Sequence, residues 1–444
     1  MSHYKPYPTY KDSGVEWLGQ VPEHWLVSRL RHITNGSLSY GANEAAESDD
    51  LRHPRFIRIT DLNEDGTLRD DTFKSLPPDV ARPYLLKDGD ILLARSGATV
   101  GKSFLYRRDM GDACYAGYLI RARLLESKFI PKLFWYCTQS SYYWDFIAGS
   151  NIQATIQNVS GEKYSNLWLA VPPVTEQRSI VSNLDRETAR IDALIEKKTR
   201  FIELLREKRQ ALITHAVTKG LDPSVKMKNS GVEWLGEVPE HWGVSPLKHL
   251  VRFRSGGTPS KDNLEFWNGD IPWASAKDLK QEVLADTIDH LNQSAIESGA
   301  ASLVPSGSIL VVVRGMILAR LFPVVETLVP MAINQDLKAL VPCEKLNSRY
   351  LAHLLRGSST ESLSRLEEAG HGTKALRMEN WISIELPVPP LHEQRAIIEM
   401  LDIQTARLDS LADKTERSIE LLKERRSALI TAAVTGQIDL REAV

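Results

Sequence analysis

Cysteine is scarce in this 444-residue chain: there are three, Cys114, Cys137 and Cys343. They are odd in number, far apart and never spaced CxxC, which excludes a disulfide framework and leaves no spacing suited to zinc or a redox pair. They are expected to be small core residues of a reducing compartment. Long hydrophobic runs are also missing. The most apolar stretch, SILVVVRGMILARLFPVV from Ser308, is cut by Arg314 and Arg320 before it could cross a bilayer. The opening MSHYKPYPTY has no apolar signal core, so a cytoplasmic location is expected. Nor is there an excess of one charge. With 55 Lys and Arg against 57 Asp and Glu the formal net charge is −2, so any nucleic-acid binding must come from local patches. What remains, 42% apolar and 25% charged, is the composition of a globular protein long enough for more than one core.

The chain repeats itself. GVEWLGQVPEHW, Gly14 to Trp25, returns 217 residues later as GVEWLGEVPEHW, Gly231 to Trp242, with Gln20 replaced by Glu237 as the one difference. At the same offset Leu169 to Asp222 matches Leu386 to Asp439 at 31 of 54 positions, and Lys11 to Ile33 matches Lys228 to Leu250 at 17 of 23. Between these blocks, roughly 34 to 168 and 251 to 385, little is shared. Faint echoes remain in Asp61-Leu62 against Asp278-Leu279, and in DGDILLARSG against SGSILVVVRG one residue out of phase. This is two copies of one domain with different surfaces, each followed by the same connector, and not a solenoid.

The connector reads as a helix. From Glu176 to about Thr218 there is neither Pro nor Gly, with Pro172-Pro173 before and Gly220 after; the second copy lies between Pro389-Pro390 and Gly436. Forty-odd residues at 1.5 Å each span about 65 Å, which suggests a coiled coil. Alternating steps of four and three pick out Leu184, Thr188, Ile191, Ile195, Lys198, Ile202, Leu205, Arg209, Leu212 and Ala216 in the first copy. In the second they pick out Leu401, Thr405, Leu408, Ala412, Thr415, Ile419, Leu422, Arg426, Leu429 and Ala433. The seam is apolar enough for the two helices to pack together but is broken at its middle by Lys198 and Thr415. A pair of ordinary bundle helices inside one domain is the plainer alternative. Ile180, Leu194 and Leu204 beside Arg190 and Glu203, with Ile397 at the start of the second helix, are expected on faces open to a partner.

Two copies of PPxxEQRxIxxxLD opening a helix that ends ALITxAVT, each preceded by a variable domain that begins SGVEWLGxVPEHW, resemble the specificity subunit of a Type I restriction–modification system. RSGGTPSKDNLEFWNGDIPWASAKDL, Arg254 to Leu279, is similar to the start of many target recognition domains of that family. The resemblance implies an α/β (α+β) two-repeat protein with pseudo-two-fold symmetry. Its two globular target recognition domains are separated by two long antiparallel coiled-coil helices: domain one over 1–168, spacer over 169–222, domain two over 223–385, second spacer over 386–444. It also implies that each domain reads one half of a split site in double-stranded DNA. Two modification subunits would dock on the helices and domains and methylate adenine with S-adenosylmethionine. Restriction subunits would use ATP and Mg to translocate and cleave DNA. The chain itself would hold no cofactor and no metal, contact no membrane and be non-catalytic.

The residues agree with a non-catalytic reading. An adenine methyltransferase grips its flipped base with an NPPY-like tetrapeptide. Here only SLPPDV and the two VPP helix entries come near it, none preceded by Asn or Asp or followed by an aromatic residue. SGATVGKS, after the apolar run Ile91 to Leu93, has three residues between Gly97 and Gly101 where a phosphate loop has four. His24 and His241 in PEHW have no nucleophile or third partner nearby and are expected to be structural. Reading DNA takes donors and acceptors on loops and cations for phosphates. In the first domain the candidates are Arg55, Arg58, Arg95, Ser96, Thr99, Lys102, Gln153, Thr155, Gln157 and Asn158. In the second they are Arg254, Ser255, Thr258, Ser260, Lys261, Ser275, Lys277, Arg314, Thr373, Lys374 and Arg377. The variable regions carry 16 basic against 17 acidic residues and 14 against 16, so useful affinity is expected to need partner subunits. The rival readings are a coiled-coil scaffold that binds only proteins, and a fused methyltransferase or ATPase.

Overall fold

The computed structural model describes residues 4–63, 67–150, 158–368 and 373–441. The chain forms two compact units, Met1–Thr199 with Arg417–Val444, and Arg200–Glu416. The division cuts each long helix in two: each unit holds the start of one helix and the end of the other. The helices run Val174–Lys219 and Leu391–Val434. Pro172-Pro173 and Pro389-Pro390 precede them. Their ends are set by Gly220 and Gly436, whose positive φ of 79° and 74° turns the chain out of the helix.

In the first unit the core sheet has four antiparallel strands in the order Ser39–Tyr40, Leu119–Ala122, Ile91–Ala94, Ser103–Leu105. The second unit has the same arrangement built from Val251–Ser255, Leu337–Pro342, Ile309–Val312 and Val324–Thr327, extended by Val283–Leu284. The central strands ILLA and ILVV are buried at every residue, which is why each reads as an unbroken apolar run rather than an alternating one. The one-residue phase slip between DGDILLARSG and SGSILVVVRG is therefore a slip between equivalent strands of one fold. The second unit adds a four-stranded sheet around Trp267–Ala274 and a three-stranded one formed by Arg314–Gly315, Lys374–Leu376 and Leu366–Glu368.

Within each unit the two helix segments run antiparallel. In the first, Asn183 Nδ2 donates to the Leu440 carbonyl at 2.8 Å and Arg426 Nε to Asp192 Oδ1 at 2.9 Å. In the second, Arg209 Nε meets Asp409 Oδ1 at 3.0 Å, the same pair with the helices exchanged. All twenty seam positions are buried or half-buried. Thr415 fits there because its hydroxyl donates back to the Leu411 carbonyl at 2.7 Å. One expectation is corrected. Ile180 and Ile397 do not face outward: they are buried in the cores of their own units, because the first turns of each helix pack on the recognition domain before the helix leaves it. Leu194 and Leu204 are exposed, as are Leu411 and Leu421. Among the described residues no helix is long and apolar enough to cross a membrane.

Candidate nucleic-acid interface

The doubled segments form a joint. Trp25 is fully buried, and its Nε1 donates to Glu176 Oε1 at 2.9 Å, while His24 Nε2 lies 2.8 Å from Glu176 Oε2. Trp242 and His241 meet Glu393 in the same way, at 2.9 and 2.6 Å. The next residue holds the recognition domain. Gln177 donates to the Lys128 and Pro172 carbonyls and accepts from the Ile130 N–H. Gln394 repeats this with Lys345, Pro389 and Asn347. Each Glu-Gln pair thus satisfies buried donors and acceptors from two directions. The helix ends close the same joint, with Gly436 against Pro22 and Trp25, and Gly220 against Trp242 and Pro239. Trp17 is partly exposed at the rim, stacked on Tyr142 with centroids 5.3 Å apart. Sequence reading placed the histidines in structural roles but did not single out Glu176, Gln177, Glu393 or Gln394. The signal was there, as EQ repeats unchanged in both copies.

On this frame each unit carries one loop leaving its central strand. In the first unit the loop begins at Arg95, whose guanidinium lies 4.9 Å over the Tyr40 ring. Ser96 bridges to Asn158, and the Val159 N–H donates to the Arg95 carbonyl at 2.8 Å. In the second unit Arg314 pairs with Ala375 and the Leu376 N–H donates to the Val313 carbonyl at 2.8 Å, the equivalent contacts. The two clusters inferred from sequence around Arg95 and Arg314 are thus brought to matching places. In each, a loop from the central strand meets the segment that precedes the short helix ahead of the connector.

Thr99 and Lys102 lie in the first loop. Its amides are committed: Val100, Gly101 and Lys102 N–H donate to the carbonyls of Gly97, Ala94 and Thr99. A phosphate-cradling loop needs those amides free, so SGATVGKS does not have that geometry. Arg55 donates to the Arg69 carbonyl at 2.5 Å and sits 5.6 Å from the Phe73 ring. Arg58 is consumed locally. It pairs with the buried Asp61 at 2.8 Å and donates to the Thr72 carbonyl at 2.7 Å. Gln153, Thr155 and Gln157 lie outside the described residues.

In the second unit Arg254, Thr258, Ser260 and Lys261 are exposed along an edge strand and the loop that follows it. The Thr258 hydroxyl donates to Gln335 at 2.6 Å, and Lys338 donates to Ser255. The Ser275 N–H and hydroxyl both donate to Asp278 Oδ2. Position 275 is the equivalent of Arg58 and Asp278 of Asp61, so the Asp-Leu echo is a shared turn stabilised by one carboxylate. Three cations have acidic neighbours: Lys277 with Asp289 at 2.7 Å, Lys374 with Glu368 at 2.9 Å, and Arg377 with Glu367. Thr373 leads into the strand opposite Arg314. The residues that sequence reasoning missed are Tyr40, which holds the Arg95 plane, and Gln335 and Lys338, which order Thr258 and Ser255.

Two equivalent joints that hold two unlike surfaces on one pair of helices define a class: a bivalent recognition scaffold. The family model described as Type I restriction modification DNA specificity domain matches residues 239–421. The chain is 29% identical over 296 residues to the Type I restriction enzyme EcoR124I/EcoR124II specificity subunit of Escherichia coli, covering 64% of this chain and 67% of that one. It is 23% identical over 439 residues, 96% of each chain, to the putative MjaX specificity subunit of Methanocaldococcus jannaschii. A chain solved for the complex assembly and conformational transition of the Type I R-M system has the same fold, with TM-score 0.74 at 17% identity, over 94% of this chain and 99% of that one. The HsdS subunit of Thermoanaerobacter tengcongensis gives 0.54 at 16%, over 94% and 98%. Residues 239–421 match that family's DNA specificity domain, and these likenesses along nearly the whole chain support a specificity subunit of a Type I restriction–modification system.

Proposed function

We propose that each unit reads one half of a bipartite, asymmetric site in double-stranded DNA, the first through the Arg95–Lys102 loop and Asn158, the second through Arg314 with the Thr373–Arg377 segment and the Arg254–Lys261 edge. The observation that carries this reading is the pairing of equivalent joints with matching but differently furnished loops. A frame that holds two domains alike while the domains themselves diverge, their exposed donors and cations included, suits two half-sites of different sequence. The loop arginines supply bidentate donors, and the near-neutral domains leave much of the phosphate neutralisation to other proteins.

Those proteins are two modification subunits, which bring S-adenosylmethionine and the adenine chemistry, and restriction subunits, which bring ATP and Mg. This chain is the non-catalytic part. The exposed Leu194 and Leu421 of the first unit, and Leu204 and Leu411 of the second, offer the modification subunits apolar contact points. Exchange of residues 34–168 for the corresponding region of another specificity subunit tests the assignment. Sequencing of methylated DNA from cells carrying the exchanged complex is expected to show one half-site replaced and the other kept. A change in both halves, or in neither, would overturn it. A protein-only scaffold, the rival, would give a reconstituted complex without steeply salt-dependent DNA binding.

A further inference from the structure

A cleft of about 590 Å³ opens beside the start of the first long helix, walled by Leu26, Val171, Pro172 and Pro173 and rimmed by His24, His32 and Lys128. A cleft of about 480 Å³ lies at the same place in the second unit. All seven residues lining the second, 217 positions on, are equivalents of residues lining the first; His241, Lys345, Val388, Pro389 and Pro390 are also identical to them. Lys128 and Lys345 stand inside the variable regions, where little else is shared, and both are exposed. So are His32 and His249, again the same residue in both copies. Exposed side chains drift when nothing outside the fold meets them, and surface substitutions away from special features are within about 0.5 kcal/mol of neutral. The joint accounts for His24 through Glu176, and Lys128 Nζ donates to the His32 carbonyl at 3.1 Å. His32 Nε2 accepts from its neighbour Arg31 at 3.2 Å, a contact that the second copy, with Lys248 before His249, does not share; the lysine charge at 128 and 345 is the shared feature that these contacts leave unexplained.

We infer that the two notches are docking points for one protein segment, an apolar anchor with an acidic neighbour, presented once by each of two copies of the same partner. The inference rests on the reading that this chain works within a complex holding two modification subunits. Notches that share five lining residues suit the same occupant, and the lysine on each rim, Lys128 or Lys345, is complementary to a carboxylate. A DNA backbone is the poorer fit. The walls are apolar, which suits an apolar anchor and not a phosphodiester backbone; Glu344, where the first rim has Ser127, opposes a phosphate and a carboxylate alike.

The test uses the full chain with its modification subunit, counted by native mass spectrometry and titrated in solution. The pair Lys128→Glu and Lys345→Glu is expected to strip both partner copies, each notch weakening binding by about tenfold or more, while either change alone releases one copy. Lys128→Ala with Lys345→Ala, checked for an unchanged unfolding midpoint, repeats the measurement if the charge reversals do not fold. If the unaltered chain takes up no modification subunit, the functional reading itself fails. If it takes up two and the double variant also holds two with equal affinity, the notch assignment alone is overturned. Intact two-copy complexes with weakened duplex binding would give the notches to DNA and sink the protein occupant.

Discussion

Glu176 accepts hydrogen bonds from Tyr7 at 2.6 Å, His24 at 2.8 Å and Trp25 at 2.9 Å. Burial together with this carboxylate pushes the Tyr7 hydroxyl well above its ordinary pKa, so it stays a donor. Glu393 has His241 and Trp242 but no tyrosine, since Ser224 stands where the first copy has Tyr7. Removing an acceptor strands its buried donors, at about 1–3 kcal/mol each. Glu176→Ala is therefore expected to destabilise its unit by about 3 kcal/mol and Glu393→Ala by about 2 kcal/mol in urea unfolding, with neither changing which DNA sequence is read. Equal effects would show that the Tyr7 contact adds nothing. A second residue makes the two units differ with pH. His353 is buried, 3.1 Å from Asp402, where the first unit has Tyr136 donating to Asp185 at 2.6 Å. Burial first, then Arg356, lowers its pKa from 6.5 to about 4; Asp402 pulls the other way, Arg349 adds to the lowering, and Glu282 belongs to the same cluster. Burial prevails because the ring has no water to hydrate its charge. The folded unit thus resists a proton that the unfolded chain takes up, and stability falls as pH drops through 6.5 toward 4. Between pH 7 and pH 5 the loss from this group is about 2 kcal/mol. His353→Tyr, which restores the first unit's arrangement, is expected to flatten that part of the urea-midpoint profile; an unchanged slope would refute the assignment.

At the scale of elements, the helix ends separate two positions that look alike. An added Cβ at Gly436 would stand 2.3 Å from Pro22 Cδ and 3.1 Å from Trp25, whereas at Gly220 the nearest atom is Trp242 Cζ2 at 3.2 Å. Both positions carry the left-handed φ that disfavours a side chain. At Gly220 the Trp242 ring must give by a few tenths of an ångström, whereas at Gly436 the Pro22 ring must move much further. Gly436→Ala is expected to lose about 3 kcal/mol and Gly220→Ala about 1 kcal/mol by thermal unfolding. The same elements show how far the sequence could be read. The helices, their seam and the joint were legible because each appears twice, so residues that merely repeat could be told from those that drift. The loops were harder. That Lys277, Lys374 and Arg377 sit beside Asp289, Glu368 and Glu367 depends on turns and strand pairing that no periodicity encodes. Arg58 looked like a reader because its carboxylate lies three residues on, in a turn recognisable only once the backbone is seen. Ile180 was misplaced for a related reason. A stripe of apolar residues shows that one face is covered, not whether a domain of the same chain or a partner covers it.

For the whole molecule, the helices matter through their length. The first belongs to one unit up to Thr199 and to the other from Arg200; the second changes over between Glu416 and Arg417. The apolar pattern of the seam is interrupted near those points, at Lys198 and Thr415, which are equivalent positions of the two helices. Both units keep their own antiparallel lock away from that midpoint, Asp192 with Arg426 in the first and Asp409 with Arg209 in the second. A matched insertion at the midpoint should therefore leave each unit and its lock intact while lengthening the connection between them. Four residues placed after both Lys198 and Thr415 add about 6 Å of helix, close to the rise of two base pairs. The expected outcome, read by sequencing methylated DNA from cells carrying the altered complex, is that both half-sites persist while the unspecified gap grows by about one to two base pairs. If methylation continues with the gap unchanged, something other than the helices sets the spacing. The same insertion turns the helix past the midpoint by about 40°. A complex that binds two modification subunits but no longer methylates would mean that the frame sets the rotation of the second unit as well as its distance.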